Sequence, residues 1–224
     1  MNITQYKKIA LSLVPLLFIV ACGSEDNVGR IVIGNGNTMF ALNDLQYQDP
    51  FVVQVTDVDG NAAANTVVKV QLKSLSFNKG SYRRTGSGWS PVYTVEDCPA
   101  EDTNNNGILD TGEDNNNNGK LDPTNSATIA QHPDLTPTLI AGSNQLITDE
   151  FGFGYFSLTY PKSESNWSAI EIMVTASFSG TENVATKIEN LPALVEDLED
   201  EDISPLGGDG NSPYGIVGDC TDPN

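Results

Sequence analysis

The chain has 224 residues, with 30 acidic against 11 basic side chains and a formal net charge of −19. Such a balance argues against a nucleic-acid partner and against direct electrostatic binding to anionic lipid. The length suffices for one domain with a sizeable core plus appendages.

At the N-terminus Lys7 and Lys8 precede an apolar run from Ile9 to Val20. At about twelve residues it is too short for an ordinary membrane span and reads as a secretory leader over residues 1–21. The run closes in Ile19-Val20-Ala21-Cys22, which resembles a bacterial lipobox. That resemblance implies cleavage before Cys22, a diacylglycerol on its thiol and a stable membrane anchor, since each buried methylene contributes about 0.8 kcal/mol. Gly23 and Ser24 follow, and by similarity to Gram-negative lipoproteins the lack of Asp there points to the outer membrane. Without residues 1–21 the chain keeps nine basic against 30 acidic side chains, a net −21.

Residues 22–37 are polar and rich in Gly and Asn, and read as a tether. From Thr38 the pattern turns to strands. Phe51, Val53 and Val55 alternate with Val52, Gln54 and Thr56, and after an Asp59-Gly60 turn Val68, Val70 and Leu72 alternate with Lys69, Gln71 and Lys73. Residues 76–145 break the rhythm and read as a mostly irregular insertion. Strands resume after a turn at residues 148–154: Phe156, Leu158 and Tyr160, then Ile170, Ile172, Val174, Ala176 and Phe178, then a weaker strand over 183–191. The expected fold is all-β, a sandwich.

The insertion holds two calcium-type loops in succession, within residues 102–125. Counted from Asp102, oxygen-bearing side chains fall at loop positions 1, 3, 5, 9 and 12: Asp102, Asn104, Asn106, Asp110 and Glu113. Gly107 stands at position 6, where the chain turns sharply, and Ile108 at position 7 offers its carbonyl. A hard cation of this size takes six to eight oxygens, and alternate residues of a tight loop aim theirs inward. Asp114, Asn116, Asn118, Gly119, Lys120 (carbonyl) and Asp122 repeat the pattern. Position 12 of the second loop is Asn125, so the second site is expected to be the weaker. The motif resembles the loops of EF-hands, dockerins and thrombospondin type-3 repeats. No amphipathic helix flanks it, which leaves a structural role rather than a sensor's.

Val53-Gln54-Val55-Thr56-Asp57-Val58-Asp59-Gly60-Asn61, Val67 to Leu72, Thr148-Asp149 with Gly152 and Phe156 to Leu158, and Val174-Thr175-Ala176 together resemble a bacterial Ig-like domain, group 1, of the invasin and intimin type. The match spans residues 38–191 and departs from the family by the long insertion. It implies an Ig-like sandwich with a spacer or adhesive role, and supplies no catalytic residues.

Residues 192–224 open with an acidic run, Glu196 to Asp202, and read as a solvated Gly/Pro-rich tail. Cys220 lies within it. With Cys22 taken by lipid, Cys98 and Cys220 remain as an even pair in an oxidising compartment, and a disulfide between them is expected.

His132 is the lone histidine, read as a surface loop residue, and no G-x-S-x-G elbow, P-loop, dinucleotide fingerprint or zinc spacing occurs. The expectation is a non-enzymatic lipoprotein of the bacterial envelope, anchored to the membrane through its N-terminal lipid, calcium its only cofactor. Its Ig-like module would serve adhesion, binding or spacing toward a protein or glycan partner. The alternatives are an accessory subunit docking to a secretion or pilus assembly and, more weakly, a carbohydrate-binding module.

Overall fold

Strict alternation of apolar and polar residues dictates strands with one buried face. The computed structural model describes residues 29–224, apart from positions 37, 125, 136, 137 and 179. The leader, Cys22, most of the tether and Asn125 therefore lie outside the described residues.

Ten strands run in order: β1 (Arg30–Asn35), β2 (Phe40–Ala41), β3 (Gln46–Thr56), β4 (Val67–Arg84), β5 (Trp89–Pro99), β6 (Thr128–Ala130), β7 (Gln145–Ile147), β8 (Phe153–Pro161), β9 (Ser168–Phe178) and β10 (Thr181–Asn190). They form two antiparallel sheets, β1-β3-β8-β6 with β2 on β3, and β10-β9-β4-β5 with β7 on β4. The expected inward positions meet between them: Phe51, Val53 and Val55 of β3, Phe156, Leu158 and Tyr160 of β8, Val68 and Val70 of β4, and Ile170, Ile172, Val174 and Ala176 of β9 are all buried in one core. Phe51 stacks on Phe156 with ring centroids 5.5 Å apart. The protein is an all-β sandwich. Among the described residues no helix is long and apolar enough to cross a membrane.

The turn that opens β8 depends on one glycine. Asp149 Oδ1 accepts the N–H groups of Phe151 and Phe153, folding the chain back, and Gly152 sits there at φ 78°. A Cβ on Gly152 would lie 2.5 Å from the carbonyl oxygen of Val55. Both the left-handed backbone and the contact forbid a side chain. Gly152→Ala is expected to destabilise the fold by about 2 kcal/mol, read as a lower midpoint in urea; an unchanged midpoint would count against this tight packing.

Three expectations need correction. The first strand, β1, lies inside the segment read as tether, so the domain starts near residue 30 rather than 38. The insertion does not begin at 76: β4 continues to Arg84 and pairs with β5 in a long hairpin. The pairing shifts between Ser74 and Ser76, again between Phe77 and Lys79, and again between Lys79 and Gly80. Along β4 the buried positions pass from Val68 and Val70 to Phe77 and Lys79 and then to Tyr82, so the inward parity changes twice and the period of two is lost. Past these shifts the hairpin builds a second core from Phe77, Tyr82, Cys98, Trp167 and Tyr214, with Trp89 and Val95 against it.

The third correction concerns residues 192–224, which pack as a covering layer and not as a solvated tail. Beyond Phe77, strand β9 no longer flanks β4, and the C-terminal segment takes that edge. Tyr82 N–H donates to the Gly210 carbonyl at 2.7 Å, Gly80 N–H to Gly215 at 3.0 Å, and Ser212 N–H returns a bond to Gly80 at 2.9 Å. Two acids of the run have fixed partners. Asp197 pairs with Lys162 at 2.7 Å and accepts the Tyr47 hydroxyl at 2.5 Å. Glu201 Oε1 accepts the N–H groups of Thr85, Gly86 and Gly88 at the hairpin tip. Cys98 and Cys220 are bonded, with Cα atoms 5.3 Å apart, and close this layer onto β5.

Candidate functional site

The acidic loops leave the end of β5 directly. Ala100 N–H donates to the Leu75 carbonyl, and Glu101 N–H to the Asp122 carbonyl at 2.8 Å. The two loops thus start and finish against the sandwich, and Leu121 is buried beside it.

Short polar side chains shape the first loop from within. Asp102 accepts the Asn106 N–H on Oδ1 at 3.0 Å and the Gly107 N–H on Oδ2 at 2.8 Å. Asn104 Oδ1 accepts the Asn106 N–H at 3.0 Å, and Asn106 Oδ1 the Ile108 N–H at 2.7 Å. The Nδ2 groups of Asn104 and Asn106 both donate to Asp110 Oδ2 at 2.8 Å. These are turns of the kind Asx residues make with their own backbone, and Gly107 at φ 72° completes the bend.

Every one of these bonds recurs twelve residues later. Asp114 accepts Asn118 and Gly119 N–H at 3.0 Å each. Asn116 Oδ1 accepts Asn118 N–H, Asn118 Oδ1 accepts Lys120 N–H, and the two Nδ2 groups converge on Asp122 Oδ2 at 2.9 and 2.6 Å. The backbone repeats too: Asn105 and Asn117 stand at φ 58° and 57°, Gly107 and Gly119 at 72° and 75°. Asp102, Asn104, Asn106 and Asp110 are therefore brought together, and so are Asp114, Asn116, Asn118 and Asp122. The side chains of Ile108 and Lys120 point to solvent.

Two glutamates close the loops. Glu113 takes the Thr103 N–H and hydroxyl on Oε1 and the Asp110 N–H on Oε2. Glu101, which the spacing argument passed over, takes Asn115 and Asn116 N–H on Oε1 and Asp122 N–H on Oε2. Residues 103 and 110 correspond to 115 and 122, so Glu101 stands to the second loop as Glu113 stands to the first. The signal was present in the sequence, since Glu101-Asp102 recurs as Glu113-Asp114. Burial pushes the Glu101 carboxyl up from the usual range against the pull of these N–H groups. Hydrogen bonds, the Asp110 N–H foremost, hold Glu113 down.

Among the described residues no group of three or more His, Cys, Asp or Glu side chains gathers as a metal site. The loops are built mainly on amides, with few carboxylates each, so their donors are all oxygen and only partly charged. Such a set suits a hard cation and not a thiolate- or imidazole-seeking one. An entering ion would replace the amide donors that now neutralise Asp110 Oδ2 and Asp122 Oδ2.

His132 is not at the surface. It is 2% exposed, its Nδ1 accepts the Asp134 N–H at 3.2 Å, and its ring faces Tyr155. Trp167 is buried in the second core, and Trp89 lies half-buried at the hairpin end, its Nε1 donating to the carbonyls of Asp200 and Ile203.

No protein-family model matches this chain, and no curated protein matches it. Among solved structures, the GAE domain of GGA2p from Saccharomyces cerevisiae aligns at 8% identity with a TM-score of 0.27, covering 77% of this chain and 96% of that one. The outer membrane decaheme cytochrome OmcA aligns at 7% identity with a TM-score of 0.27, over 87% of this chain and 25% of that one. Neither likeness carries an argument about function.

Proposed function

We propose that this chain is a non-enzymatic envelope lipoprotein whose Ig-like module, stabilised by calcium, serves adhesion, binding or spacing at the cell surface. The observation that carries the calcium reading is the recurrence, at a period of twelve residues, of the same turns and the same gathering of two asparagine amides on one aspartate in both loops. Asp102, Asn104, Asn106, Asp110 and Glu113 would hold or close one ion site, and Asp114, Asn116, Asn118 and Asp122 the other, with the carbonyls of Ile108 and Lys120 as further donors. Calcium would supply charge compensation and a fixed loop shape, with no chemistry of its own. The lipobox at Cys22 supports membrane anchoring, and the acidic surface is consistent with a partner that is neither nucleic acid nor anionic lipid.

Extracellular modules of this kind bind at about 10⁻⁴–10⁻³ M. At the tighter end, ~2 mM calcium adds about 2 kcal/mol of stability by mass action. Titration calorimetry of the full chain is therefore expected to show binding in this range, with a matching rise in melting temperature. The main core is made by β3, β4, β8 and β9 without the loops. Chelation should then expose residues 101–122 to protease while the sandwich stays resistant. No heat and no thermal shift in millimolar calcium would rule the reading out.

A further inference from the structure

The two loops are not independent. Each is closed by a glutamate that belongs to the start of the other: Glu113 directly precedes Asp114 yet binds the first loop, and Glu101 directly precedes Asp102 yet binds the second. The chain thus exchanges its closing carboxylates between adjacent loops. Asn125, the residue that spacing assigns to the end of the second loop, lies outside the described residues and is not required for this closure.

The carboxylates at these loop ends are buried and, among the described residues, are held by N–H groups and a hydroxyl alone. Glu101 is fully buried, Glu113 is 4% exposed and Asp122 7%. Among the described residues the ion pairs are Lys162–Asp197 and Lys187–Glu189, both away from the loops. The hydrogen bonds to the loop carboxylates offset part of the cost of burying these anions, and a cation would offset more. Separately from the loops' own bonds, Ser126 is 1% exposed, its hydroxyl has no hydrogen-bond partner among the described residues, and it lines a cavity of about 30 Å³ with Asp102 and Asn105. A space of that size holds one water, the kind of ligand that fills out a calcium shell.

We infer that residues 101–122 form a single reciprocal unit for two calcium ions, in which Glu101 supplies the closing carboxylate of the second loop. This inference rests on the calcium reading above and makes the two sites comparable rather than strong and weak. Glu101 acts by fixing positions 2 and 9 of its loop, as Glu113 does for the first.

The test is native mass spectrometry of the full chain with calcium alone as the probe. Two bound ions are expected for the unaltered protein, one for Glu101→Gln, one for Glu113→Gln and none for the double variant. Glu101→Asp keeps the charge on a shorter arm and is expected to weaken the second ion at least tenfold. Fluorescence of buried Trp167 reports whether each variant is folded. Retention of two ions at unaltered affinity by both Glu101 variants overturns the inference, as does a single ion in the unaltered protein that Glu113→Gln abolishes. No ion at all would instead overturn the calcium reading.

Discussion

Serine in place of both Cys98 and Cys220 is expected to lower the stability of the sandwich by about 4 kcal/mol, the largest effect of any change considered. The bridge joins residues 122 apart in sequence. On the chain-entropy account, a crosslink over a loop of ~100 residues restricts the unfolded chain by about 4–5 kcal/mol, and residual structure reduces the figure. In a domain of this size that corresponds to a fall of roughly 10 °C in melting temperature. The C-terminal layer would keep its hydrogen bonds to β4 and the buried Tyr214, but nothing covalent would hold it. Urea unfolding of the double variant beside the oxidised protein measures the loss. Equal midpoints for the two would mean that the bridge contributes nothing.

The next largest effect concerns Asp49, a carboxylate in the middle of β3 that is 4% exposed. It faces the interior near Lys187 and Glu189 of β10, which form an ion pair of their own. Burial, with Glu189 adding to it and Lys187 opposing, pushes the Asp49 carboxyl up from 3.8 to about 6. The folded state therefore holds this proton more tightly than the unfolded one. The corresponding stability is fully present below pH 4 and is lost as the pH rises through about 6, a change of ~3 kcal/mol. Asp49→Asn should remove that loss. The variant is expected to be more stable than the unaltered protein by up to about 3 kcal/mol at pH 7.5 and nearly equal to it at pH 4. Paired melts at the two pH values decide it, and a difference independent of pH would refute the assignment. Acid groups held low elsewhere, Glu201 and Asp219 among them, lose stability as the pH falls, so only the difference between the two proteins isolates Asp49.

What was legible in the sequence was whatever has a period. Phe156 to Tyr160 alternates strictly, Phe51 to Val55 and Ile170 to Ala176 do so but for Val52 and Met173, and each alternation became a strand with its apolar side in the core. The loops repeat every twelve residues, and the same Asx turns recur at that spacing. The rest was hidden for distinct physical reasons. In β4 the inward parity passes from Val68 and Val70 to Phe77 and Lys79, across the extra residue between Ser74 and Ser76, and then to Tyr82, so no single period survives. Strand β1 has only Ile31 and Ile33 as an inward pair between polar, Gly-rich flanks. Part of the C-terminal layer's hold is by main-chain bonds to β4, and a backbone hydrogen bond leaves no mark in side-chain composition. Glu101 was missed because a loop counted from its first aspartate has no place for a residue before it.

β4 has a mechanical consequence. Its first residues lie beside the end of β9, where Gly29 packs against Phe178 at the start of the described chain. Its last residues form the tip of the β4–β5 hairpin. Eighteen residues of strand reach on the order of 50 Å. The described chain therefore starts at one pole, and the hairpin tip with its Glu201 clasp stands at the other. A pull between the N-terminal end of β1 and a partner gripping that tip would cross the sandwich. It would load β1 against β3, and the β4–β5 hairpin against β9, along the strands, so that each ladder meets the force in shear and not one bond at a time.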